Sequence, residues 1–364
     1  MQSCPKKFIN GPCGGYRGRE CEVGGRECVF IKAYSRLSNN ELRRIYSSVA
    51  LDSRFKVRNY IPVPPRRPNT EFMKALSGGN ELIIYEVFLK VSRDINEVVN
   101  SLVGLSNSLV LAVTDSPLGT LTYDPLTLSL KLLNELRPYD IIMNLAVRNK
   151  TIDDIIMKVV TASKLGIRNY LIVSGDWNFK GVSTPYYDVD TTEGIYLVRL
   201  ALDLGIDCRG KIITTPLPGH VGAVANQYSP YTSIEVLRNL RKELAGAEYL
   251  ILQPNYSMDV LRRFINELRN HGFTGYVIPS YAPILNRRHL KLLSSLGIEE
   301  VDKELLKAVN TSLSNAFKVN TEYILSMIES VGTKVIYVST YGDLVIAKEF
   351  LSTLVGALRK LGRA

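Results

Sequence analysis

Four of the five cysteines, Cys4, Cys13, Cys21 and Cys28, fall within the first 28 residues, in the pattern C-x8-C-x7-C-x6-C. The N-terminal stretch MQSCPKKFINGPCGG shows no apolar h-region, so a cytoplasmic chain is expected. Disulfides are rare there, so clustered thiols point to a metal centre. Four thiolates suit either a tetrahedral zinc or an iron–sulfur cluster. The spacing is wider than the paired knuckles of most zinc fingers, and the reading leans slightly to [4Fe–4S]. Gly11, Gly14, Gly15, Gly18, Gly24 and Gly25 let the backbone wrap a small centre and aim N–H groups at sulfur. The competing reading is a glycine-rich tail with free thiols. Cys208, alone in DLGIDCRGK, reads as a buried structural thiol.

A second set of polar residues closes a series of apolar runs: Glu86, Thr114, Asn144, Ser174-Gly175-Asp176, Thr215, Gln253, Ser280, and Ser339 with Thr340. Glu86 is flanked by Ile84, Tyr85 and Val87, and burial among them raises a carboxyl pKa toward that of a proton donor. The alternative for Glu86 is a structural ion pair at a rim. Asp176 is either a functional carboxylate or the N-cap of the next helix. Trp177, which follows it, suits stacking on a ring or packing in the core.

The elements that must position these residues read as repeated strand and helix. The runs are LIIYEVF (82–88), LVLAVT (109–114), DIIMNLA (140–146), NYLIVSG (169–175), KIITTP (211–216), YLILQP (249–254), GYVIPS (275–280) and KVIYVST (334–340). Continuous apolar runs fit parallel strands covered on both faces. Helical stretches such as TIDDIIMKVVTASKLG and SIEVLRNLRKELAG lie between them. Eight such units predict an α/β fold, a (β/α)8 TIM-type barrel, whose chemistry sits at the C-terminal strand ends. A doubly wound open sheet is the alternative, but no GxGxxG follows the first run.

The domain reading is a cysteine-rich domain over 1–60, a proline-rich linker over 61–79 and the barrel over 80–364. A helix is expected over 39–50, with Asn40 as N-cap. No apolar run reaches the ~20 residues of a membrane span. The formal net charge of +10 fits an anionic ligand such as a dinucleotide. Basic residues do not interleave with aromatics in a run, so nucleic acid is not expected.

The motifs at the strand ends resemble those of the methylenetetrahydrofolate reductase family. YEVF around Glu86, AVT at 112–114, SGD at 174–176, NLRKELAGAEYLILQPNYSMD at 239–259, VIPSYAP and VIYVSTYG are similar to family segments, and together they cover the barrel. CPK, NGPCGG, CEV and CVFIKAYSRL resemble the cysteine-rich domain that accompanies such reductases, there often C-terminal or on a separate subunit, here N-terminal. The resemblance implies a flavin-dependent reduction of a methylene-tetrahydrofolate, or a related methylene-pterin, to the methyl form. The flavin would be FAD, or FMN in its place. Glu86 would be the general acid, Asp176 would tune flavin and substrate, and Gln253 would contact the pterin. Thr114, Asn144, His220 and Lys242 would fall at flavin-contacting positions. Leu89-Lys90 replaces a proline pair, Ser174 an arginine, and Asn144 a common histidine. Electrons would come from NAD(P)H or a redox protein, and a partner subunit or homo-oligomer is compatible. Two alternatives stand: a cluster-carrying electron-transfer or docking subunit with a non-catalytic barrel, and a pterin methyltransferase.

Overall fold

The computed structural model of the chain describes residues 3–62, 68–177, 185–295, 298 and 300–361. Eight parallel strands close into a barrel in chain order: β1 (Leu82–Val87), β2 (Leu109–Val113), β3 (Asp140–Ala146), β4 (Asn169–Val173), β5 (His220–Ala225), β6 (Tyr249–Pro254), β7 (Tyr276–Tyr281) and β8 (Val335–Val338). Seven of the expected runs are strands. The fifth is not: KIITTP lies outside the barrel, where Ile212 is exposed, and HVGAVA takes its place. The physical reason is local. Gly222 sits under the ring of Tyr249, and a Cβ there would lie 2.1 Å from it, so β5 carries small residues where its neighbours carry large ones.

Side chains alternate between two cores, as a two-residue period requires. Leu82, Ile84, Val110, Ala112, Ile142, Leu171, Tyr249, Ile251, Ile278, Val335 and Tyr337 fill the barrel interior. The intervening residues, Ile83, Tyr85 and Val87 among them, meet the outer helices. The helix Glu71–Gly78 supplies Phe72, Met73, Ala75 and Leu76 to the interior and closes the N-terminal end of the barrel. Its cap is tied down twice, by Thr70 Oγ1 to Asn169 Oδ1 at 2.7 Å and by Phe72 N to Asp140 Oδ2 at 2.9 Å. The segment 61–79 is therefore not linker alone: its second half is a barrel plug, while residues 63–67 lie outside the described residues.

The head is short irregular chain plus the helices Val29–Tyr34 and Asn39–Tyr46. The second is capped by Ser38, not Asn40, in a reciprocal box with Glu41, and it ends at Tyr46. Head and barrel share one continuous apolar core, in which Phe8, Tyr16, Phe30 and Ile31 pack with barrel residues. The docking is polar as well. Asp190, N-cap of the helix Thr191–Asp203, accepts the N–H groups of Ile9 and Asn10 at 3.0 and 2.8 Å. From the helix Thr232–Leu244, Arg238 donates to Pro12 O and Arg241 to Asn10 O. Among the described residues, no helix is long and apolar enough to cross a membrane.

Candidate active site

At the C-terminal strand ends the next inward layer is polar where the layers below are apolar. Glu86 occupies its floor, half-buried and reachable from the mouth. Tyr337 Oη donates to Glu86 Oε2 at 2.8 Å and Ser339 Oγ to Glu86 Oε1 at 2.6 Å. Asn144 donates in turn to the oxygen of Tyr337, leaving its own Oδ1 buried without a hydrogen-bond partner. Burial pushes the Glu86 carboxyl above the ordinary glutamate range; Ser339 and Tyr337 pull against that, and the nearby charge of Asp176 adds to it. The result is a partly exposed carboxyl group held in one orientation by two hydroxyl donors, its pKa raised by burial.

Asp176 stands on the rim, exposed to solvent but crowded by protein on its other sides. Among the described residues the next helix is capped by Asp190, so Asp176 caps no described helix. Its Oδ2 accepts the N–H of Leu118 from the β2 loop. Gly175 beside it has φ +73°, and a Cβ there would lie 2.8 Å from Arg148 Cβ, so only glycine fits. Arg148 is buried and donates to Asp176 O and Ser116 O, which clamps the two loops together. Burial and the Glu22 carboxylate push the Asp176 pKa up, against Leu118 N–H, Lys6 and Arg148.

Glu22 belongs to the head. Its Oε1 accepts the backbone N–H of Trp177 at 2.8 Å, and its Oε2 accepts from Lys6 Nζ at 2.5 Å and from Cys13 Sγ at 3.4 Å. Burial opposes ionisation of Glu22, but the Lys6 charge and these donors hold its pKa below the usual range. Lys6 Nζ lies 5.2 Å from the centroid of the Tyr187 ring, which stacks on Trp177 at 6.3 Å and 9°. The head thus meets the barrel mouth immediately beside Asp176.

Cys4, Cys13, Cys21 and Cys28 line one small cavity within the head. Burial pushes the Cys13 thiol up to about 12 and also raises Cys28, to which Cys21 and Cys4 add as neighbours. Among the described residues, no three His, Cys, Asp or Glu side chains converge on a single-ion position. Cys208 is buried and its carbonyl accepts from Lys56 and Val57 N–H groups.

The other expected site residues divide. Thr114 is buried at the end of β2 and donates to Val87 O at 3.0 Å. Gln253 is exposed at a register shift in β6, its backbone paired with Gln227. Ser280 is buried at the inward end of β7. His220 does not reach the mouth: it opens β5 at the opposite end of the barrel, opposite Asn169 in register, with Nδ1 3.0 Å from Glu248 Oε1. Lys242 does not reach it either. Its Nζ is buried behind β5 on Val224 O and Asn239 Oδ1, and burial together with Arg238 lowers its pKa well below that of a free lysine. Thr215 lies in the loop before β5, outside the mouth. The residues missed were Tyr337, Arg148, Lys6 and Glu22. Tyr337 carried a signal, two places before Ser339 on the same strand face; Glu22 carried none.

Two family models match the chain. One, described as "Methylenetetrahydrofolate reductase", covers residues 73–338, and another, described as "Methylene-tetrahydrofolate reductase C terminal", covers residues 1–53. A protein named "Methylenetetrahydrofolate reductase 2" from Schizosaccharomyces pombe is 26% identical over 183 residues, which span 47% of this chain and 28% of that protein. Among solved structures, an uncharacterized protein from Clostridium thermocellum, described as binding two copies of 5-methyl-5,6,7,8-tetrahydrofolic acid, superposes with a TM-score of 0.57 at 16% identity, covering 79% of this chain and 98% of that one. EDTA monooxygenase from Chelativorans sp. BNC1 follows with a TM-score of 0.51 at 11% identity, covering 78% and 94%. Riboflavin lyase with modified FMN and riboflavin also gives 0.51, at 8% identity, covering 78% and 92%. These structural likenesses establish the barrel, and the match over residues 73–338 establishes that the chain belongs to the methylenetetrahydrofolate reductase family.

Proposed function

We propose that the barrel reduces the methylene group of a methylene-tetrahydrofolate, or a related methylene-pterin, to methyl, using a bound flavin, and that the N-terminal head carries an iron–sulfur centre. The observation that carries the reading is Glu86: a partly exposed carboxyl at the C-terminal strand ends, fixed by Tyr337 and Ser339, with its pKa raised by burial. Opening the substrate's five-membered ring requires a proton on the departing nitrogen, and Glu86 supplies it. The iminium cation left behind is stabilised by the Asp176 carboxylate across the mouth. A bound flavin supplies the hydride that turns methylene into methyl.

In this reading a flavin would be held at Asn144, whose buried Oδ1 has no partner within the protein, and at Thr114, whose hydroxyl oxygen remains able to accept. Gln253, exposed with an amide that both donates and accepts, would hold the pterin edge. In the head, Cys4, Cys13, Cys21 and Cys28 would hold the metal centre. Their common cavity is what supports a shared metal centre, an iron–sulfur cluster or a zinc, at these four thiols.

The test is anaerobic purification with absorbance, iron and sulfide analysis, followed by turnover of methylene-tetrahydrofolate with chemically reduced flavin. We expect bound flavin, and a Glu86→Gln variant that keeps the flavin but loses turnover. Failure to bind flavin after reconstitution, or full turnover by Glu86→Gln, would sink the reading.

A further inference from the structure

On three strands the inward face passes from apolar to polar within two residues: Ile84 to Glu86, Ile142 to Asn144, and Val335 to Tyr337. The two-residue period points all of them into the barrel. Asn144 and Tyr337 are buried there, and Glu86 is half-buried. The three polar groups form one chain. The Asn144 amide donates to Tyr337 Oη, and Tyr337 donates to Glu86 Oε2 at 2.8 Å. This direction of donation serves an ionised Glu86, and it leaves Asn144 Oδ1 buried without a partner. A protonated Glu86 requires the reverse. If its O–H donates to Tyr337 Oη, the Tyr337 proton needs a new acceptor, or a buried donor is left unsatisfied. A half-turn of the Asn144 amide brings Oδ1 to that place and turns the NH2 away. Ser339 offers no such path. Its Oγ already accepts the N–H of Tyr341 at 3.2 Å, and its own proton goes to Glu86 Oε1. Tyr341 holds that N–H in place from a left-handed backbone, φ +52°, which a bulky residue rarely adopts.

We propose that Tyr337 and Asn144 are positioning residues for proton transfer by Glu86, and that the Asn144 amide rotates by a half-turn each time Glu86 gains or loses its proton. The proposal rests on Glu86 being the general acid of the reaction given above. When Glu86 passes its proton to the departing substrate nitrogen, the Tyr337 proton swings from Asn144 Oδ1 to Glu86 Oε2, and the amide NH2 returns to Tyr337 Oη. One proton leaves the chain, and no electrons move within it. Both end states have every buried donor of the chain paired, so neither form of the acid pays for an orphaned group. The titratable groups in reach of Glu86 are Tyr337 and Tyr341 on the β8 side, Tyr85 beside it on β1, and Asp176 after β4. Among the described residues no lysine, arginine or histidine pairs with Glu86, so the hydroxyl chain is what answers its change of charge.

The experiment titrates Glu86 in the full chain without substrate, by infrared difference spectroscopy of the carboxylic C=O stretch that Glu86→Gln lacks. Tyr337→Phe removes a donor from the ionised form, so the Glu86 midpoint should rise by about 0.5–1 pH unit. Asn144→Leu removes the acceptor that the protonated form needs, so the midpoint should fall by about the same amount. A fixed amide that only donates gives the opposite sign, because its loss weakens Tyr337 as a donor. In Tyr337→Phe/Asn144→Leu the effect of Asn144 should vanish and the midpoint should equal that of Tyr337→Phe. A rise in Asn144→Leu, or an effect of Asn144 that persists without Tyr337, overturns the rotating amide. Should Asn144→Leu fail to fold, Tyr337→Phe still decides, since an unchanged midpoint there overturns the chain. The alkaline limb of single-turnover reduction should move with each midpoint. Midpoints that shift as expected in a protein that reduces no methylene-pterin overturn the proposed reaction and leave the hydrogen-bond chain standing.

Discussion

The Glu22 carboxylate of the head accepts the N–H of Trp177 at 2.8 Å, and through that bond the cysteine-rich segment touches the residue next to Asp176. Glu22 also neutralises Lys6, whose side chain is 2% exposed. Removing the acid from such a pair leaves a buried charge unpaired, at a cost of about 3–5 kcal/mol. Glu22→Ala is therefore expected to release this corner of the head. Trp177 is the only tryptophan in the chain, so intrinsic fluorescence reads the event directly. Its emission should shift to longer wavelength and become open to iodide quenching. Glu22→Gln keeps an acceptor for Trp177 and should shift less. Unchanged emission and unchanged thermal midpoint in Glu22→Ala would show that the contact does not hold the two parts together.

A pH profile isolates the pairing of the two mouth carboxyls. Glu86 is raised by burial first and by Asp176 in addition. A general acid works only while protonated, so turnover falls on the alkaline side as Glu86 ionises, at a pH above the ordinary glutamate range. Asp176→Asn removes the neighbouring negative charge and lowers the Glu86 pKa, moving that alkaline limb toward lower pH. Single-turnover measurements on the reduced enzyme separate this limb from reductant binding. A limb that stays in place would show that the two carboxyls do not sense each other.

Stability has its own pH dependence, set where the head docks. Glu193 is buried, accepts the N–H groups of Asp52 and Asp190, and is raised by burial and by the charge of Asp190. Above the ordinary glutamate range the unfolded chain has released this proton while the folded protein still holds it. The stability contribution is therefore complete below that range and is lost as pH rises toward the elevated folded value, by up to about 1.4 kcal/mol per pH unit. Glu193→Gln cannot titrate, so its urea midpoint should vary less over the same interval. Parallel slopes for the two proteins would remove Glu193 from the account.

The barrel was legible because most of its strands are continuous apolar runs, a pattern that parallel strands covered on both faces require. Glu86, Thr114 and Asn144 could be placed at the mouth by the same logic, since each ends such a run. His220 could not, because its position relative to the strand depended on which run was β5. KIITTP has the stronger β composition, yet HVGAVA is the strand, and shifting the strand moved His220 from a loop near the mouth to the first residue at the other end. Lys242 failed differently. Helical periodicity gives a face but does not say that a lysine on it is buried against a strand carbonyl. Glu22 lies 155 residues from the Trp177 it binds, and no local pattern encodes a contact of that range.

The weak strand makes the last prediction. Gly222 lies opposite Tyr249 in register, and the Tyr249 ring fills the space a side chain at 222 would need, with the nearest ring atom 2.1 Å from an ideal Cβ. That ring is completely buried. Its hydroxyl donates to Tyr170 O at 2.9 Å and its ring packs T-shaped with Phe72 of the barrel plug, centroids 5.2 Å apart, so it cannot swing aside without breaking both contacts. Gly222→Ala should therefore destabilise the barrel by about 1–3 kcal/mol through overpacking, despite the higher strand propensity of alanine. Tyr249→Phe should cost about 1 kcal/mol for the lost hydrogen bond and leave the clash in place. Pairing Gly222→Ala with Tyr249→Leu, which opens the space, should recover part of the loss, measured by urea unfolding. If Gly222→Ala alone matches or exceeds the parent's stability, β5 is not small because of Tyr249, and the reason for its illegible sequence lies elsewhere.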